Sequence, residues 1–219
     1  MLADTFAMPT AKRRRGDALA LTAGLYALAA IAFVAVVDLC WGLTHQNYSY
    51  VADTISDLAA GVNSWTMDVA LTGFALAVAV VALALLRWNL GARTGHTWRY
   101  RLGCLLALAL APVLYFIAAH DAYGDGEAGG FIIHHHLVYT LGALFPLTAW
   151  ATAPGFADVS RAWRNLSLVL ALIWLPAAPY FMFMGTSWDG LFERGLALIL
   201  LVWFGAAAFN LVRRGRGLL

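Results

Sequence analysis

The stretch KRRRGDALALTAGLYALAAIAFVAVVDL, residues 12–39, decides the fold of this chain. Four bases at Lys12–Arg15 precede an apolar run from Ala18 to Leu39, which contains one acid near its end, Asp38. About 20 apolar residues are enough to cross the roughly 30 Å hydrocarbon core of a bilayer as a helix. The run is longer than the about 7–15 apolar residues of a signal peptide, so we expect a retained first transmembrane helix.

Five further apolar runs follow, and the composition agrees with a membrane protein. The chain is 62% hydrophobic and 12% charged, with a mean hydropathy of +0.74, whereas soluble domains carry about 25% charged residues. We predict an all-α fold, a single bundle of six transmembrane helices over residues 18–212, between a basic segment at 1–17 and a basic tail at 213–219. The predicted spans are 18–39, 66–86, 102–119, 132–151, 166–184 and 191–212.

The charges are sorted between alternate polar segments. Thirteen of the fourteen Lys and Arg residues fall in four segments, those containing Lys12–Arg15, Arg87–Arg101, Arg161–Arg164 and Arg213–Arg216. By the positive-inside rule these segments are cytoplasmic, which places both termini of a multi-pass membrane protein in the cytoplasm. Bases that flank spans contact anionic lipid, so we expect lipids as partners and no nucleic acid. A homo-oligomer or a membrane protein partner stays open.

The three remaining segments, predicted to face outward, hold most of the acids and five of the six histidines. Their only base is Arg194. In the first of them Val51, Ile55 and Leu58 recur at helical spacing, which predicts a short helix at the membrane surface.

Ionisable groups near the outer ends of the spans are the candidates for chemistry, because such groups are costly in a membrane. We expect a polar pocket there, lined by Asp38, Ser56, Asp57, His134, His135, His136, Glu193 and Arg194. Because Glu193 and Arg194 are consecutive, their side chains diverge on a helix, and Arg194 is expected to pair with Asp57 or Asp38. Structural pairing is one interpretation of Arg194; the other is that it holds a lipid phosphate or carboxylate.

A metal site is the alternative use of the histidines. Imidazole and carboxylate suit zinc, and the ligands would come from His120, His134, His136 and Asp57. Consecutive histidines point about 100° apart, so one helix cannot aim all three at one ion. We therefore expect no cofactor, with zinc as the alternative and haem between His120 and a histidine of the fourth span as a further one.

Three segments carry a resemblance to a known family: YVADTISDL at 50–58, the histidine-led start of the fourth span, and GLFER at 190–194. The chain resembles the bacterial and archaeal six-span proteins of the DUF998 family (domain of unknown function), which is similar, more distantly, to damage-regulated autophagy modulator and Sfk-type multispanners. The resemblance places the family's Ile-Ser-Asp-Leu element on Ile55–Leu58, its membrane histidine on one of His134–His136, and its Glu-Arg pair on Glu193 and Arg194. It implies a multi-pass protein of the prokaryotic inner (plasma) membrane with no established activity.

Three functions remain open at this point. The first is a protein that engages a lipid or another hydrophobic ligand through the outer polar pocket. The second is an intramembrane metal-dependent lipid hydrolase. The third is a small proton-coupled transporter, which the prolines of the fifth span favour and the lack of inverted repeats disfavours.

Overall fold

The computed structural model describes residues 16–44, 46–60, 64–124 and 131–219. The basic run Lys12–Arg15 and His45 lie outside the described residues. The described residues form helices joined by turns and short irregular segments, and they include no strand. The helices are α1 (Ala18–Thr44), α2 (Ile55–Leu58), α3 (Trp65–Trp88), α4 (Thr97–Ala119), α5 (Ile133–Phe156), α6 (Arg161–Phe183) and α7 (Asp189–Gly215), with a 3₁₀ turn at Thr186–Trp188 before α7.

Helices occupy all six segments predicted as spans, so the all-α fold class is confirmed. Among the described residues, five helices are long and apolar enough to cross a membrane: α1, α3, α4, α6 and α7. The remaining long helix, α5, has 24 residues but also carries three histidines, three threonines and two prolines, which lower its mean hydropathy.

The six long helices form a ring in chain order. α1 packs on α3, α3 on α4, α4 on α5 and α5 on α6, and α7 closes the ring against α1 and, less closely, α6. Small side chains let α1 approach α7: a Cβ added at Gly24 would lie 2.9 Å from the Val212 backbone nitrogen. Close backbone contact of this kind is how helices associate in lipid.

Indole and hydroxyl groups form hydrogen bonds between helices inside the ring. Pro146 has no N–H, so it cannot bond to the Gly142 carbonyl one turn earlier; the Trp174 indole on α6 donates to that carbonyl instead, at 2.9 Å. The Trp203 indole donates to Ser167 Oγ at 2.8 Å, and this hydroxyl donates to the Ala149 carbonyl at 2.8 Å. These bonds tie α5, α6 and α7 together at depth, where water is not available to satisfy them.

The two ends of the ring differ in chemistry. At the basic end, Asp17 lies 3.4 Å from Arg87 and 3.3 Å from Arg214, and Arg99 donates to the Trp150 carbonyl. The opposite end, called here the histidine end, holds Asp38, residues 46–58, His120, His134–His136 and residues 189–194. The charge sorting in the sequence therefore becomes a sorting between the two ends of one bundle.

Candidate functional site

The segment before α2 is held at the histidine end by Arg194. Its guanidinium pairs with both carboxylate oxygens of Asp38, at 3.0 and 2.8 Å. It also donates to the carbonyls of Tyr50, Asp53 and Gly190 at 2.9–3.2 Å and to the Tyr48 hydroxyl. Guanidinium has five N–H groups, and six acceptors surround it. Of the two predicted partners Asp38 is the one found, and no N–H of Arg194 is left over.

The start of α7 holds the same segment through its backbone. The first N–H groups of a helix have no acceptor within the helix; those of Gly190 and Leu191 donate to the carbonyls of Ala52 and Val51, at 3.3 and 3.0 Å. The two segments of backbone are so close that a Cβ at Gly190 would overlap the Asp53 backbone. Only glycine therefore fits at position 190 without moving the backbone of Asp53.

A capping box begins α2. Thr54 Oγ accepts from the Asp57 N–H at 3.0 Å, and the Asp57 carboxylate accepts from the Thr54 N–H at 2.6 Å. This fixes the start of the helix at Ile55, so the predicted short helix exists but is shorter than the pattern suggested and excludes Val51. Leu58 is only 2% exposed and packs against α1 and α3.

Asp57 also accepts a hydrogen bond from the Tyr123 hydroxyl. This bond, with burial as a smaller cause, raises the pKa of Tyr123 to about 12. Nearby, burial raises the pKa of Tyr48, against the opposing effect of Arg194. Asp57, which we predicted to line the pocket, is thus used in capping α2 and in holding Tyr123.

Glu193, Ser56 and His134 meet below α2. Glu193 accepts from the backbone N–H of Ile55, and its other oxygen lies 3.0 Å from Ser56 Oγ. Ser56 Oγ lies 3.2 Å from His134 Nε2, and His134 Nδ1 lies 2.9 Å from the His120 carbonyl oxygen. Three of the predicted site residues, from α2, α5 and α7, are therefore brought together.

The other predicted histidines point elsewhere. His134 is 5% exposed, whereas His135 and His136 are exposed; His136 stacks on Phe131 at 4.0 Å and bonds through Nδ1 to the Ile132 carbonyl. His120 Nδ1 bonds to the Phe116 carbonyl. The four predicted zinc ligands do not converge, and in the described ranges no group of three or more His, Cys, Asp or Glu side chains is placed to hold a metal ion.

A cavity of about 360 Å³ lies under this network, within the range of small-molecule sites. Every helix contributes to its wall. Its polar lining is Asp38, Ser56, Glu193 and Arg194, and the rest of the wall is apolar, including Phe74, Leu114, Trp174 and Phe181. Four of the predicted pocket residues line the cavity. His134 does not line it but contacts one of the four, Ser56.

Sequence reasoning missed the roles of Tyr48, Thr54 and Tyr123. Thr54 could have been found, since Thr-x-x-Asp before an apolar residue is close to the capping-box pattern. No sequence signal links Tyr48 or Tyr123 to a distant partner. Their roles depend on the fold.

The long apolar helices and the polar cluster between their ends define a multispanning helical membrane protein. The chain belongs to the family described as protein of unknown function (DUF998), whose model matches residues 27–210, a range that includes every predicted site residue. No curated protein and no solved structure matches the chain. The resemblance found from the three short segments is confirmed at the level of the family.

Proposed function

We propose that the protein binds a lipid, or another hydrophobic ligand with one polar end, in the cavity under the histidine end. The observation that carries the proposal is the lining of the cavity: four polar side chains lie at one end, and the other walls are apolar. Binding sites for small molecules commonly combine apolar walls with a few placed polar groups. The same pattern fits an amphiphile whose chain lies among the helices.

The polar end of the ligand would meet Ser56 and Glu193 rather than Arg194. All N–H groups of Arg194 have acceptors within the protein, and its charge is paired with Asp38 at 2.8 Å. An anionic head group would therefore find no free cation among the described residues of the cavity wall, while Glu193 would repel it when ionised. We expect a neutral polar group, such as a hydroxyl or amide, that can hydrogen-bond to a hydroxyl and a carboxyl group.

The proposal includes six membrane-crossing helices with the histidine end outside. α5 packs between α4 and α6, and its 24 residues give a length of about 36 Å, enough to span the hydrocarbon core. The basic end would then face the cytoplasm, in accord with the positive-inside rule. The cavity would open at the level of the outer leaflet.

A groove between α5 and α6 suggests how the ligand enters. The groove has a volume of about 910 Å³ and shares Gly142, Ala178 and Met182 with the cavity. A Cβ at Gly142 would lie 3.9 Å from the Ala178 Cβ, so the wall is thin at this point. An acyl chain could pass from the bilayer through it when a side chain such as Met182 moves.

Mass spectrometry of lipid retained by the purified protein tests the proposal, with the variant Gly142→Leu as the probe. Leucine at 142 would close the shared wall, so we expect a stoichiometric lipid in the wild type and at least a tenfold loss in the variant. Gly73→Leu is the matched control, because a Cβ at Gly73 meets nothing within 4 Å. Absence of enriched lipid in the wild type, or equal loss in both variants, would refute the proposal.

The same preparation separates the alternative functions. Intact lipid at one per protein supports binding, whereas recovery of hydrolysed lipid would favour the hydrolase. Elemental analysis gives a second criterion: stoichiometric zinc that disappears when His134, His135 and His136 are replaced by alanine would overturn our preference.

A further inference from the structure

The three side chains that meet below α2 form a chain of hydrogen bonds. Ser56 Oγ lies between Glu193 Oε1, at 3.0 Å, and His134 Nε2, at 3.2 Å. The ends of the chain are held by the backbone: Glu193 accepts from Ile55 N–H, and His134 Nδ1 faces the His120 carbonyl at 2.9 Å. The geometry therefore fixes which atoms can carry hydrogens.

Counting hydrogens shows that the chain has room for one more. A carbonyl oxygen only accepts, so His134 Nδ1 must carry a hydrogen. With Glu193 ionised and His134 neutral, Glu193 Oε1 and His134 Nε2 are both acceptors, and Ser56 has one hydrogen to give. One of the two contacts would then place lone pair against lone pair, which is costly at a half-buried site.

One added proton satisfies every contact, in either of two arrangements. In the first, Glu193 is a carboxylic acid that donates to Ser56, and Ser56 donates to neutral His134. In the second, Glu193 is a carboxylate that accepts from Ser56, and His134 is an imidazolium that donates to Ser56. Moving one hydrogen from Glu193 to Ser56 and one from Ser56 to His134 converts the first into the second, with no change in total charge.

We propose that Glu193, Ser56 and His134 form a proton-binding site that holds one shared proton and transfers it through the Ser56 hydroxyl. The proposal does not depend on the identity of the ligand or on whether one binds. It assigns the cluster an activity beyond ligand binding: proton exchange between the histidine end and the cavity.

The charged surroundings are compatible with a shared proton. Arg194 next to Glu193 is paired with Asp38, and the Asp57 carboxylate accepts from the Tyr123 hydroxyl and from the Thr54 N–H. His134 has an exposed neighbour in His135, whose ring centre lies 6.4 Å away. Among the described residues, the ionisable groups around the site are Asp38 from α1, Tyr48 and Asp53 from the segment before α2, Asp57 from α2, His120, Asp121 and Tyr123 after α4, His135 from α5, and Asp189 and Arg194 from α7.

The two ends of the chain of hydrogen bonds face different places. His134 adjoins the exposed His135 and lies near Asp121, whereas Ser56 and Glu193 line the cavity. A proton taken up at His134 can therefore reach a carboxyl group in the cavity wall without a path through lipid. Such a route is what a proton-coupled step at the cavity would need.

NMR of the protein in nanodiscs tests the proposal without a ligand. The sequence has two glutamates, Glu127 and Glu193, and six histidines, so ¹³C-Glu and ¹⁵N-His labelling gives few signals. Glu193→Gln and His134→Gln assign them. In the wild type, the Glu193 carboxyl carbon and the His134 ring nitrogens should shift at the same pH midpoints, because coupled groups titrate as a pair.

Two variants decide the outcome. The amide introduced by Glu193→Gln can still accept from Ile55 and donate to Ser56, so this variant preserves the hydrogen bonds. It removes the titratable proton, so the pH midpoint that His134 shares with Glu193 should vanish from the His134 signals. Ser56→Ala should separate the two midpoints by about one pH unit or more, and Ser56→Thr, which restores a hydroxyl, should rejoin them. An unchanged His134 titration in Glu193→Gln, or coincident midpoints in Ser56→Ala, would overturn the proposal.

Discussion

Replacing Arg194 with lysine should destabilise the histidine end, although the charge is kept. Arg194 has six acceptors around five N–H groups, and lysine offers three donors from a single nitrogen. At least three hydrogen bonds are lost, at about 1 kcal/mol each for neutral acceptors and more for the carboxylate. Together with the weakened partly buried pair to Asp38, we expect a loss of about 3–5 kcal/mol in the free energy of unfolding.

Thermal unfolding in detergent, followed by circular dichroism, measures this loss. For chains of this length about 1 kcal/mol corresponds to about 2–4 °C, so Tm should fall by about 6–20 °C. Arg87→Lys is the matched control, because Arg87 has a 57% exposed side chain and one contact to Asp17 at 3.4 Å; such pairs are worth about 1 kcal/mol or less. Hydrogen exchange should also rise over residues 48–54 in Arg194→Lys alone.

The reasoning fails if the two lysine variants unfold alike and exchange over residues 48–54 is unchanged. A double-mutant cycle of Asp38→Ala and Arg194→Ala adds a sharper criterion. The side chains are directly paired, so the losses should be non-additive by about 0.5–3 kcal/mol. Additive losses would mean that the pair is not what holds the segment.

Two further predictions concern contacts at the same end. Gly190→Ala should lower Tm and raise hydrogen exchange around Asp53, because the new Cβ would overlap the Asp53 backbone. Gly195→Ala on the same helix is the control, because its new Cβ meets nothing within 4 Å. This control should be neutral or stabilising by up to about 1 kcal/mol. For Tyr123, whose pKa is raised to about 12 by the bond to Asp57, the phenol stays protonated until about pH 12, so the bond is present at neutral pH and lost above that value. In Asp57→Asn the pKa should fall toward about 10, measured as the phenolate absorbance that Tyr123→Phe removes; an unchanged midpoint would contradict the assignment.

The helices could be predicted because their signal is local. An apolar run of about 20 residues gives a helix in the bilayer whatever its neighbours are, and each predicted span is helical. Their ends were less predictable: α1 continues from Leu39 to Thr44. Gly42 lies in this extension, and a Cβ there would overlap the Tyr50 ring, which packs against the extra turn. That contact comes from the following segment, which no pattern in α1 reveals.

The histidine that faces inward could not be read from the sequence. The 100° spacing indicated that the three histidines could not all face one site, and of the three His134 alone reaches Ser56. About two turns farther along α5, the Gly142 carbonyl, which has no N–H of Pro146 to accept from, accepts from the Trp174 indole of α6. Contacts of this kind between helices, distant in the sequence, cannot be read from the three histidines themselves.

Glu193 and Arg194 show how two consecutive residues can serve one site by diverging. Arg194 points to the carbonyls of Tyr50 and Asp53, and so fixes the segment that ends where α2 begins. Glu193 points to the start of α2 and accepts from Ile55 there. Ser56 is therefore positioned from both sides by one turn of α7, since its own helix has only four residues and cannot hold a fixed position alone. The single base at the histidine end is thus needed to bring the hydroxyl between a carboxyl group and an imidazole, even though it contacts neither the hydroxyl nor the imidazole.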